Sequence, residues 1–151
     1  MFIRNAWYVA AWADEIGAAP LGRRICGEPV VLFRDRENRV AALLDMCCHR
    51  GAPLHIGKVV EQGLQCGYHG LIFDHTGACV HVPGQDRIVD RTRVRCFPVV
   101  ERDAFVWIWM GDPALADPGR CTGLHLSAGR KEPARVDLAR RAGAGRSRQD
   151  R

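Results

Sequence analysis

Cys47-Cys48-His49 and Cys66-Gly67-Tyr68-His69 place metal-binding side chains at chelating spacing in this sequence. The pattern is C-x-H, sixteen residues, then C-x-x-H. Two thiols and two imidazoles are a full set of four soft and borderline donors. A glycine turn follows each pair, in Arg50-Gly51-Ala52-Pro53 and at Gly70. Glycine beside a ligating thiolate lets backbone N–H groups approach the sulfur and stabilise its charge. Structural zinc commonly takes its ligands in like pairs, two cysteines and then two histidines. Here each loop supplies one of each. A two-iron sulfur cluster uses that arrangement when both thiolates hold one iron and both imidazoles the other. The spacing favours iron–sulfur, with a zinc-stabilised structural or binding module as the alternative.

The rest of the chain must position these two loops. Its 151 residues suit one compact domain, and 47% hydrophobic content supplies a core. No apolar run approaches the roughly 18 residues of a membrane span. The start, Met1-Phe2-Ile3-Arg4-Asn5, lacks the pattern of a signal peptide. A cytoplasmic protein without a membrane partner is therefore expected. Seven cysteines, an odd number, also argue against a disulfide framework.

The net charge of +5 is uneven. Residues 1–118 hold 13 basic and 14 acidic side chains, whereas 119–151 hold 9 and 3. The basic excess is thus confined to the end of the chain and is no sign that the folded part binds nucleic acid. All eleven aromatic residues lie in 1–118.

That part reads as short strands. Glu28 to Asp35 carries the run Val30-Val31-Leu32-Phe33, and Arg39 to Asp45 returns beside it after a loop in which Asn38 takes a left-handed conformation. A second hairpin turns at Asp74 to Gly77, between Ile72-Phe73 and Ala78 to Val82. A third pairs Val94 to Val100 with Ala104 to Met110, and Pro98 marks the first of these as an edge or bulged strand. Ala10 to Ile16 could start a helical turn. After Pro118 the sequence becomes Gly, Ala and Arg-rich, which predicts a disordered tail over 119–151 with at most a weak helix over 134–141.

The cluster loops and their flanks resemble the Rieske [2Fe–2S] domain of vanillate O-demethylase-type oxygenase subunits, which are Rieske non-haem iron aromatic oxygenases. Asn5-Ala6-Trp7-Tyr8-Val9-Ala10, His49 to Leu54, Cys66 to Leu71 and Phe105 to Gly111 carry the resemblance, over roughly residues 1–118. It implies an all-β, antiparallel Rieske-type sandwich with a small cluster-binding subdomain, the cluster loops lying within about 46–85. It implies that Cys47 and Cys66 ligate one iron and His49 and His69 the other. Pro83-Gly84-Gln85 resembles the loop that covers the cluster. The function implied is single-electron transfer from a reductase toward a mononuclear iron in a catalytic oxygenase domain. A stand-alone Rieske ferredoxin is the other carrier reading.

Several residues depart from the family pattern. Cys48 stands where proline is usual and Ala104 where a turn glycine is common. High-potential relatives clip the cluster loops with two further cysteines, but the corresponding residues here are Ala52 and Tyr68. Hydroxyl residues that bond the cluster in those proteins correspond to Leu71 and Phe73, so a potential toward the low end of the Rieske range is expected. Only His125 follows His81, too few histidines for a facial triad of two histidines and a carboxylate. The expectation is a chain without its catalytic domain, truncated or shifted in frame near residue 119. Cys26, Cys79 and Cys96 read as small strand residues and Cys121 as an exposed tail residue. His55, His75 and His81 read as surface, turn or packing residues, Arg50 as solvated or facing a redox partner, and the four tryptophans as mostly core.

Overall fold

Val30-Val31-Leu32-Phe33 offers no polar face to solvent, and in the computed structural model all four side chains are fully buried. The structure describes residues 1–121. The expected weak helix and all but the first three residues of the expected tail lie outside the described residues. The chain forms β1 (Ala6–Trp12), β2 (Leu21–Ile25), β3 (Glu28–Arg34), β4 (Val40–Leu44), β5 (Lys58–Val60), β6 (Gly63–Gln65), β7 (Ile72–Phe73), β8 (Cys79–His81), β9 (Cys96–Phe97), β10 (Val99–Arg102) and β11 (Phe105–Met110). Three short 3-10 turns accompany them. All strand pairing is antiparallel, in sheets of order β1-β11-β10, β2-β3-β4-β9 and β5-β6-β7-β8. The all-β antiparallel class expected from the sequence is the one observed.

The second sheet is the middle layer, because side chains alternate across a strand. Val30 and Leu32 of β3 and Ala42 of β4 face one core, which Val106, Ile108 and Met110 of β11 complete. Val31, Phe33, Ala41 and Leu43 face a second core with Leu64, Phe73, Cys47 and Cys66. The loops of interest therefore rest on the back of a strand pair already locked to the first sheet. Each fully buried Val, Leu or Phe there contributes roughly 1.5–3 kcal/mol.

Two of the expected hairpins form as read. Asn38 has φ +61° between β3 and β4, and Gly77 has φ +80° between β7 and β8. The third differs. Val94 to Val100 is not one strand: it breaks at Pro98, which cannot donate to a ladder. β9 before it pairs with β4, and β10 after it pairs with β11. Its turn is Asp103-Ala104, both with positive φ.

Within Ala10 to Ile16 the expected short helical turn is confined to Ala13–Glu15. Ala10 and Ala11 are buried strand residues of β1: Ala11 pairs with Val106 of β11, and Ala10 sits at the irregularity in that ladder. Cys26 is not a strand residue but sits with Gly27 in the β2–β3 turn, at φ +49°. Cys121 is fully buried, not exposed: its carbonyl accepts from the Arg102 guanidinium. Trp109 is buried against Trp7, whereas Trp12 lies half exposed and stacked on Phe105. Among the described residues no helix is long and apolar enough to cross a membrane.

Candidate metal centre

Both cysteine loops are built on one turn. The Cys47 N–H donates to the Ala52 carbonyl at 2.8 Å, and the Gly51 N–H to the Cys47 carbonyl at 2.9 Å. In the second loop Cys66 N–H bonds Leu71 O at 2.8 Å and Gly70 N–H bonds Cys66 O at 3.1 Å. The glycine four residues after each cysteine takes positive φ, +69° at Gly51 and +76° at Gly70, where an L side chain is strained.

The turn directs each cysteine inward and each histidine outward. Cys47 and Cys66 are 3% and 2% exposed and share one core cluster. Burial pushes the Cys47 thiol up to about 11, the His49 backbone N–H pulls it down, and the neighbouring Cys66 raises it further. His49 and His69 are exposed, their ring centroids 4.7 Å apart. Tyr68 lies against His69 at 3.8 Å and is itself exposed.

The two imidazoles open on a cleft of about 620 Å³ that Cys48, Leu71, Pro83, Gln85 and Arg91 also line. Pro83 and Gln85 belong to the third loop singled out in the sequence. That loop leans on the second, since a Cβ at Gly70 would lie 3.1 Å from the Pro83 ring. Behind the cysteines the loops meet backbone to backbone: a Cβ on Gly57 would fall 2.0 Å from the Gln65 carbonyl.

The four donors thus form two pairs, buried thiols and exposed imidazoles. Among the described residues no three His, Cys, Asp or Glu side chains converge on one ion position. A donor set split into a buried sulfur pair and an exposed nitrogen pair fits a group with two metal centres of unlike ligation. Leu71 and Phe73 are buried and carry no hydroxyl to bond a sulfur.

The remaining candidates lie apart from these pairs. Cys79 is buried on β8 and donates to the His81 carbonyl. Cys96 donates to the carbonyl of His75, which sits in the β7–β8 turn. Arg50 is exposed next to His49. Sequence reasoning missed Asp45, two residues before Cys47, whose carboxylate bonds His55. A lone carboxylate at a strand end carries no sequence signal, because its partners lie nine and ten residues on.

The family model for the Rieske [2Fe-2S] domain matches residues 6–98. The chain is 56% identical over 119 residues to the iron-sulfur subunit of the toluene-4-sulfonate monooxygenase system of Comamonas testosteroni, covering 78% of this chain and 34% of that protein. It is 58% identical over 119 residues to the oxygenase component of dicamba O-demethylase from Stenotrophomonas maltophilia, covering 78% and 35%. It is 50% identical over 118 residues to a vanillate O-demethylase oxygenase subunit of a Pseudomonas species, covering 78% and 33%. The crystal structure of dicamba monooxygenase bound to dicamba matches with a TM-score of 0.79 at 55% identity, over 82% of this chain and 37% of that one. The chain spans about a third of the length of the curated relatives it matches.

Proposed function

This chain belongs to the Rieske [2Fe-2S] domain family, and from that premise we propose that it is the electron-transfer module of an aromatic oxygenase or demethylase. Cys47 and Cys66 hold one iron of the Rieske-type cluster, and His49 and His69 hold the other. When bound, such a cluster takes up and gives out one electron at a time.

The observation that carries this reading is the segregation of the donors. The two cysteines are sealed in the core below, and the two imidazoles stand together in an open cleft. Neutral imidazole donates less charge than thiolate, so His49 and His69 would place the electron-accepting metal on the exposed side. The outer ring nitrogens of His49 and His69 form the contact to an acceptor. Tyr68 lies tilted against the His69 ring.

The donor to this module is a reductase, and the acceptor is a catalytic oxygenase domain with a mononuclear iron. The names of the relatives, all oxygenase components or iron-sulfur subunits of such systems, support these partners over a free-standing ferredoxin. The domain itself comprises residues 1–118, with the cluster loops at about 46–85. Purified anaerobically, the chain is expected to be red-brown, with two irons and two acid-labile sulfides per chain. On reduction it should give the electron paramagnetic resonance of a two-iron cluster with mixed cysteine and histidine ligation. A colourless protein holding one zinc per chain would overturn the proposal.

A further inference from the structure

The two ligand loops share one turn but are closed by different means. The second loop leaves β6 and returns in β7, so its ends are held by a backbone ladder that pairs Leu64 with Phe73 and Gln65 with Ile72. The first loop has no such ladder among the described residues. β4 ends at Leu44, and the next strand starts only at Lys58.

The Asp45 carboxylate stands in for it. Its Oδ1 accepts the backbone N–H of Leu54 at 2.7 Å and that of His55 at 2.8 Å. Its Oδ2 accepts from His55 Nδ1 at 2.5 Å. A carboxylate has only acceptors, so His55 carries its proton on Nδ1. The Asp45 side chain is 7% exposed. Three donors on a buried carboxylate make a tight closure of the nine residues between, among them Cys47 and His49.

A distant residue makes room for the third bond. Gly22 on β2 lies beneath the His55 ring, and a Cβ there would fall 2.8 Å from His55 Cγ. Asp45 is tied in turn to β3, its N–H donating to the Pro29 carbonyl at 3.0 Å. The middle sheet therefore grips both ends of the first loop.

We infer that Asp45 and His55, with Gly22 as their seat, are positioning residues that clamp the Cys47–His49 loop and set how firmly the cluster is held. The inference rests on the ligand assignment proposed above. Partners one step behind a metal ligand typically govern about 10- to 100-fold in metal affinity. Asp45 acts on Cys47 and His49 through the loop backbone and touches neither metal nor substrate.

The test uses the full chain loaded with its cluster. The readout is the rate at which visible absorbance is lost to an excess of iron chelator, together with the resonance spectrum of the reduced protein. Asp45→Ala should lose the cluster about tenfold faster or more and show an altered spectrum. Asp45→Asn keeps an oxygen for both backbone N–H groups and should restore most of the slow rate. His55→Ala and Gly22→Ala should each accelerate loss by a smaller factor. Arg34→Lys, which loosens the fold far from this loop, should leave the rate alone.

If Asp45→Ala yields no soluble protein, His55→Ala and Gly22→Ala decide: faster loss in both supports the clamp, and wild-type rates in both overturn it. Wild-type rate and spectrum in Asp45→Ala would overturn it directly while leaving the cluster reading intact. A wild-type chain that takes up no iron and sulfide would overturn the ligand assignment and this inference with it.

Discussion

Cys47 and Cys66 occupy the same place in two copies of one turn, yet their histidines do not: His49 follows by two residues and His69 by three. The unequal spacing still brings the rings to 4.7 Å. Each loop contributes one buried and one exposed donor.

Replacement of an inner donor should abolish the site, and replacement of its neighbour should not. Cys66→Ser is expected to lose the visible absorbance, and the loops should lose order with it, because metal binding is coupled to local folding. Cys48→Ser should keep the absorbance. The Cys48 side chain is exposed and lines the cleft, apart from the two buried cysteines. A colourless Cys48→Ser beside a coloured Cys66→Ser would reverse the ligand assignment.

The metal-free chain should become less stable in alkali. Burial raises the folded-state Cys47 thiol to about 11 from an ordinary 9.0. The folded state therefore holds this proton more tightly than the unfolded chain does. The resulting stabilisation is fully present below about pH 9 and disappears as pH rises through about 11. Melting temperature of the apo chain should fall across that window. Once the thiols ligate metal they are deprotonated, and the dependence should vanish in the loaded protein. A flat apo profile from pH 8 to 11 would refute the buried, protonated Cys47 thiol.

Much of this architecture is legible in the sequence, for reasons particular residues make plain. The apolar run Val30–Phe33 marks a strand buried on both faces, and Asn38 and Gly77 mark turns whose backbone few residues tolerate. The ligand loops announce themselves by residue type and spacing. What stayed hidden depends on partners far along the chain. Leu21–Ile25 has a mixed pattern and becomes a strand only because β3 pairs with it. Ala10 and Ala11 have high helix propensity, but the pairing of β1 with β11 on either side of Ala10 overrides it. Pro98 signalled irregularity, and only the competing pairings of β9 and β10 show that it sends the chain from one sheet to another.

Ala104 is a site where the fold can be improved. It sits at φ +63° in the β10–β11 turn, after Asp103 at +54°. Alanine pays about 1 kcal/mol or more in this region, and glycine does not. Ala104→Gly should raise stability by about 0.5–1 kcal/mol and the melting temperature by several degrees, with an unchanged absorption spectrum. A lower melting temperature would show that the turn adopts another form in solution.

Arg34 should matter more to stability than any other exposed-sheet charge, because its guanidinium joins three parts of the fold. Nε donates to the Ile16 carbonyl at 3.0 Å, and Nη2 to the Ala13 carbonyl at 2.9 Å, fixing the segment after β1. Nη1 donates to the Asn38 carbonyl at 3.1 Å in the β3–β4 loop. Both terminal nitrogens also reach Glu101 of β10, at 3.0 and 3.1 Å. The side chain is 17% exposed, whereas Glu101 is 45% exposed, so solvent screens the ion pair more than the bonds to carbonyls. Lysine keeps the charge but has neither the planar fork nor enough donors for these acceptors. Arg34→Lys should therefore cost about 1–3 kcal/mol through the carbonyls left without a partner. Glu101→Gln, which removes only the charge, should cost less than about 1 kcal/mol. Thermal melts of the two variants decide the order. Equal losses would assign the effect to the ion pair, and no loss in Arg34→Lys would mean that water replaces the fork at little cost.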